Sequence, residues 1–401
     1  MDLSGKILSD PVNKWIFSNV KKDVYLVGGY IRDLLIGRIS KDKDFVLKGN
    51  IRKIAWNFAV RFNGTFIRLK EGQTYRVALK DNSSTDFTLL SNNILEDLSR
   101  RDFTINAIAW SPETGIIAPF ENLRDIEKKQ IRIIRSRNLK DDPLRVLRAY
   151  RLAAQLNFTI EKRTREFLKK YSRLIYKSSP ERITEEIIKL LTCKESSFYL
   201  KLCNKDNVLD KVFYLSNYSL NNNIKLIDKF EDRLKAKRLT MVLKTISQGL
   251  KTDGFIRLAL LLLTVNNKPL IKKIPHLRFS NLIKNKLESI NKSYQLAKGG
   301  ISNPELFEIY SSAEDSVCEI SIILSIIKDK GLIYFLNRAE RFIKIKKRNL
   351  INGYEIQKLL NIKPGPVVGA IQKEIVKRQF LGFITTKPEA RTWIKSMGAS
   401  S

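Results

Sequence analysis

The chain has 401 residues, 43% of them hydrophobic, which at roughly 100 to 200 residues per domain predicts two to four domains and a real interior rather than a peptide module. Lys and Arg total 74 against 41 Asp and Glu, a formal charge of +33, and an excess of that size is most simply met by a polyanion, nucleic acid first. The longest apolar stretch, 255–265, contains Arg257 and is too short for a membrane span, and the single His276 excludes mechanisms that need two histidines. Cys193, Cys203 and Cys318 have no CxxC spacing and an odd count, which argues against a disulfide framework and a structural zinc site. Chemistry therefore has to run on carboxylates.

At the N-terminus, Asp2 and Asp10 stand where a leader would need a basic and then an apolar region, so no signal peptide and a cytoplasmic location are expected. Residues 24–28 form a β-branched and aromatic run, closed by Gly28 and Gly29 and followed by a helical pattern over 30–36. Short strands follow at 44–47, 64–69, 75–79 and 85–89, with a helix predicted over 51–62. The first 135 residues thus read as a compact mixed α/β domain. From Asp142 the leucines fall at helical spacing and strand signals nearly vanish, predicting helices over 163–171, 181–191, 239–250, 255–265 and 315–328. The run from Arg341 to Arg348 interleaves basic and apolar residues, as expected of a solvated helix face or an RNA-binding one.

Asp42 and Asp44 flank Lys43, a spacing that puts both carboxylates on one face of a strand, close enough to share a divalent metal; hard oxygen donors suit Mg²⁺. Upstream, Gly28 and Gly29 let backbone N–H groups approach a triphosphate while Arg32 binds its oxygens. Asp86, in the last of the short strands, is either a third carboxylate that draws the proton from an attacking hydroxyl or an acid facing solvent. In the stretch from Arg100 to Ala107, ahead of a predicted helix, Asp102 either caps that helix or accepts a bond from a ribose hydroxyl while Arg101 meets a phosphate or base. Arg145, Arg148 and Arg151 recur every third residue along a helix and repel one another unless an anion or a flat ring lies against them. Asp142 and Arg145 carry the donors and acceptors to read the edge of a base.

Together these blocks resemble the class II tRNA nucleotidyltransferases, the CCA-adding enzymes, and their bacterial poly(A) polymerase relatives. Leu26-Val-Gly-Gly-Tyr-Ile-Arg-Asp33 with Asp42-Lys-Asp44 looks like the family's metal motif, Arg100 to Ala107 its ribose motif, and Asp141 to Arg151 its nucleotide-templating helix. Ser179-Pro-Glu-Arg-Ile-Thr-Glu-Glu186, with Lys189-Leu-Leu191, is similar to its helix-bracing motif, and Lys363 to Gly369 to a bacterial tail motif. The resemblance implies an α+β chain: a mixed α/β, polymerase-β-like nucleotidyltransferase head over 1–135, a helical templating neck over 136–200, and a helical body and tail over 201–401 that bind tRNA. It implies that Gly28, Gly29, Arg32, Arg101 and Asp102 hold the sugar and triphosphate of CTP or ATP. Asp42 and Asp44 would hold Mg²⁺, Asp142 and Arg145 would pair with the base, and Arg148 and Arg151 would steady the helix or the phosphates. The expected activity is template-independent addition of C, A or both to the tRNA 3′ end. A poly(A) polymerase is the alternative within the class, and a non-catalytic RNA-binding protein the alternative outside it.

Two departures bear on the product. Asp141 stands where the family's templating helix often has Glu, and only nine residues separate Asp86 from Glu96, where many CCA-adding members carry a longer flexible loop. Leu89, Leu90, Ile94 and Leu95 in that stretch are expected to pack, leaving Ser91, Asn92 and Asn93 to move. A switch from C to A needs a mobile element with two arrangements. The short segment therefore points to an enzyme that adds only the two C residues, while free variation of loop length would leave full CCA addition intact.

Overall fold

A computed structural model of the chain describes residues 3–236, 245–263, 274, 276–328, 330–348 and 350–398. The chain divides into two compact units, Met1–Leu190 with Leu202–Val212, and Leu191–Lys201 with Phe213–Ser401.

The first unit opens with two helices that the sequence pattern does not announce, α1 (Leu3–Ser9) and α2 (Pro11–Asn19). Both are short, but α2 has Pro11 in its first turn and is capped by Asp10, whose carboxylate accepts the Val12 and Asn13 amides. Then come β1 (Val24–Val27), α3 (Gly29–Leu35), β2 (Lys43–Leu47), α4 (Ile51–Arg61), β3 (Thr65–Lys70), β4 (Thr74–Ala78), β5 (Ser84–Leu89) and α5 (Ile94–Ser99), close to expectation. The apolar run after Arg101 is not the α-helix its composition suggests: Thr104–Asn106 form one 3₁₀ turn, and β6 (Ala109–Ser111) and β7 (Gly115–Ile117) complete the sheet. Residues 107–110 are buried throughout, so no period of two betrays the strand.

The seven strands lie in the order β3-β4-β5-β2-β1-β6-β7, antiparallel except for β2 and β5, which run parallel with Asp44 opposite Asp86. Ala55 and Phe58 of α4 are fully buried, and the Phe58 ring meets Phe87 at 5.3 Å. The unit continues through α6 (Asn122–Glu127), β8 (Gln130–Ile131), α7 (Arg137–Asp141), α8 (Arg145–Leu156), β9 (Thr159–Ile160), α9 (Lys162–Tyr171) and α10 (Pro180–Leu191); β8 pairs with β9. Helix α8 begins at Arg145, later than its sequence suggests, because Asp142 is extended and only its carbonyl and that of Pro143 start the turn.

Helices α11 (Ser196–Lys205) and α12 (Leu209–Phe213) contribute to both units. The second unit is helical: α13 (Asn217–Ala236), a hairpin of β10 (Thr245–Ser247) and β11 (Leu250–Lys251), then α14 (Thr252–Leu262), α15 (Asn281–Ala297), α16 (Asn303–Ala313), α17 (Val317–Ile327), α18 (Leu332–Lys347), α19 (Gly353–Leu360), α20 (Pro366–Leu381) and α21 (Lys387–Gly398). The hairpin corrects part of the helix expected over 239–250, of which 239–244 lie outside the described residues. Gln248 and Gly249 both adopt positive φ, +51° and +74°, the backbone a tight two-residue hairpin needs. The helix expected over 255–265 is α14, with 264–265 outside the described residues. The one expected over 315–328 is a 3₁₀ turn at Glu314–Ser316 followed by α17. Within the basic run of α18, Phe342 packs inward while Lys344, Lys346 and Lys347 face solvent. Among the described residues, no helix is long and apolar enough to cross a membrane.

Candidate active site

Strand β1 delivers the chain to Gly28, whose φ of +80° is open to glycine at little cost. Its N–H donates to the Ile108 carbonyl at 2.9 Å, and a Cβ there would stand 2.8 Å from Arg101 Nη1 and 3.5 Å from Asp44 Oδ2. Helix α3 then presents Arg32, 5% exposed, whose guanidinium is held by Asp33 at 2.7 Å and by Asn106.

Alternation along β2 separates the charges. Lys43 turns to the buried face, where its Nζ meets Asp10 at 3.1 Å and lies over the Tyr30 ring. Asp42 and Asp44 share the opposite face, as their spacing predicts. Asp42 accepts the Ser84 amide at 3.1 Å and hydroxyl at 2.8 Å. Protein crowding pushes the Asp44 carboxyl above the ordinary aspartate value; Arg101 opposes this, Asp86 adds repulsion, Arg76 opposes it and Asp42 adds more. The crowding is one-sided, since the Asp44 side chain still opens onto the cavity. Asp86 lies beside Asp44 in register, but both its oxygens are taken by Arg76, at 2.7 and 2.8 Å.

Asp102, Arg148, Glu186 and Arg151 form one chain of charges in which the acids and Arg151 are buried and Arg148 is partly exposed. Asp102 accepts the Phe103 amide at 2.8 Å and Asn106 at 3.0 Å on one oxygen, and Arg148 at 3.0 and 2.7 Å on the other. Burial alone would raise its pKa, but the Arg148 charge and these bonds prevail and hold the carboxyl well below the usual carboxylate range. No acceptor site is left open for a ribose hydroxyl, and with no α-helix following, Asp102 caps none. Glu186 of α10, 4% exposed, pairs with Arg151 at 2.8 Å and with Arg148 at 3.5 Å. From the same helix Arg182 holds Asp142 at 2.9 Å.

Arg145 is the least engaged of these arginines: Nη1 reaches the Arg101 carbonyl at 3.3 Å and Nε lies 4.0 Å from Asp142. Burial lowers its pKa from the usual arginine value, with Asp102 and Asp142 opposing. A partly buried guanidinium short of acceptors favours a ligand that brings them.

One cavity of about 450 Å³ gathers every anticipated residue except Asp86: Gly28, Gly29, Arg32, Asp42, Asp44, Arg101, Asp102, Asp142, Arg145, Arg148 and Arg151. Glu186, Arg182, Asn106 and Asp33 join the site without any signal of their own in the sequence. Glu186 and Arg182 lie in the Ser179–Glu186 motif, whose resemblance implies only a brace. Among the described residues, no three His, Cys, Asp or Glu side chains gather as a metal cage. Two aspartates with room for water and phosphate oxygens fit a hard divalent cation that keeps much of its hydration.

Residues 24–132 match the family model of the poly A polymerase head domain, and 157–215 that of the probable RNA and SrmB-binding site of polymerase A. A CC-adding tRNA nucleotidyltransferase of Synechocystis is 28% identical over 396 residues, spanning 94% of both chains. A CCA-adding enzyme of Lactobacillus johnsonii is 35% identical over 182 residues, 42% of this chain and 46% of that one. The structure of the Thermotoga maritima CCA-adding enzyme complexed with tRNA superposes over 98% of both chains, with a TM-score of 0.73 at 21% identity.

Fold and cavity together define a nucleotidyltransferase with a polymerase-β-like head and a mostly helical remainder. Over nearly its whole length the chain is similar to class II tRNA nucleotidyltransferases, and its residues 24–132 match the poly A polymerase head domain, a nucleotidyltransferase head of a kind that generally uses divalent metal ions.

Proposed function

We propose that this chain extends the tRNA 3′ end without a nucleic-acid template, taking CTP and, where A is added, ATP, and releasing pyrophosphate. The observation that carries the reading is the single cavity in which an aspartate pair, a glycine turn and the under-partnered Arg145 meet. The terminal hydroxyl oxygen bonds to the α-phosphorus, the bond from that phosphorus to the bridging oxygen breaks, and the hydroxyl proton leaves to a base or to water. Asp42 and Asp44 would hold Mg²⁺, which when bound supplies charge neutralisation at the reacting phosphate. Asp86, held by Arg76 through one bond to each oxygen, would serve as a third carboxylate through the lone pairs that Arg76 leaves open. Arg32 and Arg101 bind the triphosphate, Asp142 and Arg145 read the base edge, and Asp102 acts by positioning Arg148. The cytoplasm, where tRNA and both nucleotides meet, is the compartment this reading implies.

Replacing Gly28 by Ala tests the triphosphate cradle. The strained backbone should cost about 1 kcal/mol, and the displaced Arg101 should raise the KM for CTP roughly tenfold with kcat less affected. Steady-state kinetics and thermal melts read both effects.

On the product, the residues between β5 and α5 favour C addition alone. Of the four residues expected to pack, Leu90 and Ile94 are buried, together with Leu98, Val27, Val46, Ala107 and Ala109, whereas Leu89 is only partly buried and Leu95 is 53% exposed. Of the three residues expected to be mobile, Asn93 accepts the Glu96 amide at 2.9 Å and Asn92 donates to the Glu96 carboxylate at 2.6 Å. A tRNA ending at the discriminator base, given CTP and ATP together, should stop after two C residues. Complete CCA ends would restore the full activity to this chain, and long A tails would make it a poly(A) polymerase.

The helical C-terminal half is read as the tRNA anchor. Deletion from Arg341 onward would remove Phe342, 2% exposed, from its core, so substitution is the sound test. Changing exposed Lys344, Lys346 and Lys347 to Ala should lower the slope of log affinity against log salt by about one for each phosphate no longer neutralised. An unaltered slope would move the anchor elsewhere.

A further inference from the structure

The first unit carries a second concavity with no part in the cavity above, about 390 Å³, walled by Asn50, Arg52, Lys53 and Trp56 of the start of α4 and by Phe66 of β3. Helix α4 buries Ile51, Ala55, Phe58 and Ala59. Its opposite side carries Trp56, 57% exposed, and Val60, 68% exposed. Strand β3 is the edge of the sheet, and Phe66 meets Trp56 edge-to-face at 5.6 Å. That packing turns Phe66 toward α4, and by alternation Arg68 shares its face.

A tryptophan left this open costs hydration that packing elsewhere would have recovered. The charges around it are specific in sign. Arg52 and Lys53 line the concavity and Arg68 stands beside it. The acid they meet, Glu71, is shared between Arg68 at 2.9 Å and Arg52 at 3.8 Å and also accepts the Tyr75 hydroxyl at 2.7 Å. Asn50 already caps the Lys53 amide at 3.0 Å, so the cationic side chains rather than the helix end make the place attractive to an anion. An exposed indole bordered by guanidinium and ammonium groups is what an unpaired base and its phosphates require.

We propose that this cleft is a second RNA site, in which one unpaired base of single-stranded RNA stacks on Trp56 while Arg52 and Lys53 take the adjacent phosphates. It touches no residue of the nucleotide cavity and does not depend on which nucleotide the enzyme adds. A duplex, whose bases are already stacked and paired, has no face to offer Trp56.

The test uses the full chain, a fluorescently labelled twelve-residue oligo(C) RNA, and saturating CTP with EDTA to fill the nucleotide cavity without reaction. The oligomer should bind and quench tryptophan emission. In Trp56→Phe most of the quenching should vanish while affinity falls little, because phenylalanine still stacks; Trp56→Ala should weaken binding about tenfold. Arg52→Ala with Lys53→Ala should lower the salt slope by about 1.4, roughly 0.7 for each phosphate no longer neutralised on a single strand. An RNA duplex of the same length should compete poorly. Equal quenching in Trp56→Phe, unchanged affinity in Trp56→Ala, equal competition by the duplex, or loss of binding on adding CTP would each overturn the proposal. So would a concentration-dependent self-association abolished by Trp56→Ala with RNA binding untouched, which would make the face a protein contact.

Discussion

Asp44→Asn should abolish nucleotide incorporation, a loss of at least about a thousandfold, as expected when a carboxylate that holds the metal at the reacting phosphate is removed. Stability should move the other way. The folded carboxyl sits above its ordinary value because the crowded protein surroundings and the neighbouring Asp86 and Asp42 disfavour its charge, with Arg101 and Arg76 only partly offsetting them. Replacing it with a neutral isostere relieves that cost, so the variant should melt at an equal or higher temperature at neutral pH. Asp42→Ala should lose incorporation as severely but, since its carboxylate also ties the Ser84 amide and hydroxyl, should gain no stability. Incorporation assays on labelled tRNA, run beside thermal melts, separate the two. Wild-type turnover in either variant would refute the metal assignment.

Glu186→Ala carries the second large effect. It removes the acid between Arg148 and Arg151, and Arg151, 8% exposed, keeps a hydrogen bond to Gln155 at 2.9 Å and the more distant charge of Glu185. Breaking a buried ion pair costs up to about 3 to 5 kcal/mol, an upper bound here because Glu185 and Gln155 remain near Arg151, and chemical denaturation reads the loss directly. Glu186→Gln, which retains the shape and one acceptor, should lose less. Because Glu186 and Arg182 lie on one helix and hold three side chains of the templating segment, Glu186→Gln should also weaken discrimination of CTP from UTP. Arg145→Ala should weaken it without the stability loss. Unchanged selectivity in both would place base reading elsewhere.

The same network sets an acid limit. Asp102 is depressed in the folded state, so its contribution is fully present above the unfolded aspartate value near 3.9 and fades as pH falls below it. Arg148→Ala should leave Asp102 without its main partner and erase that dependence. Denaturation midpoints followed from pH 5 downward in both proteins test this.

How much of this is legible in the sequence depends on how local the cause is. Gly28 and Gly29 punctuate strand and helix within a few residues, and the acid pair around Lys43 obeys a period of two, so β1, α3 and β2 and the face shared by Asp42 and Asp44 follow from spacing alone. Helix α2 owes its form to Asp10, a cap visible in sequence but attached to too few apolar residues to signal a helix. The occupation of Asp102 by Arg148, 46 residues away, and of Asp86 by Arg76 on the next strand are tertiary events. No spacing announces them. Arg145, Arg148 and Arg151 look equivalent along the helix. Only the acids that arrive from elsewhere, Asp102 for Arg148 and Glu186 of α10 for Arg151, tell them apart and leave Arg145 the least engaged.

The pairing of Lys43 with Asp10 has a consequence for where the catalytic head starts. A slip of one residue in β2 would bring the Lys43 ammonium group to the cavity face and turn Asp42 and Asp44 into the interior. The Lys43–Asp10 bridge opposes that exchange, and Asp10 lies upstream of residue 24, where the match to the head-domain model begins. Asp10, the cap between the first two helices, thus acts as a registration key for the strand that carries Asp44. A head trimmed to the matched residues would lose the counter-charge that tells β2 which way to face.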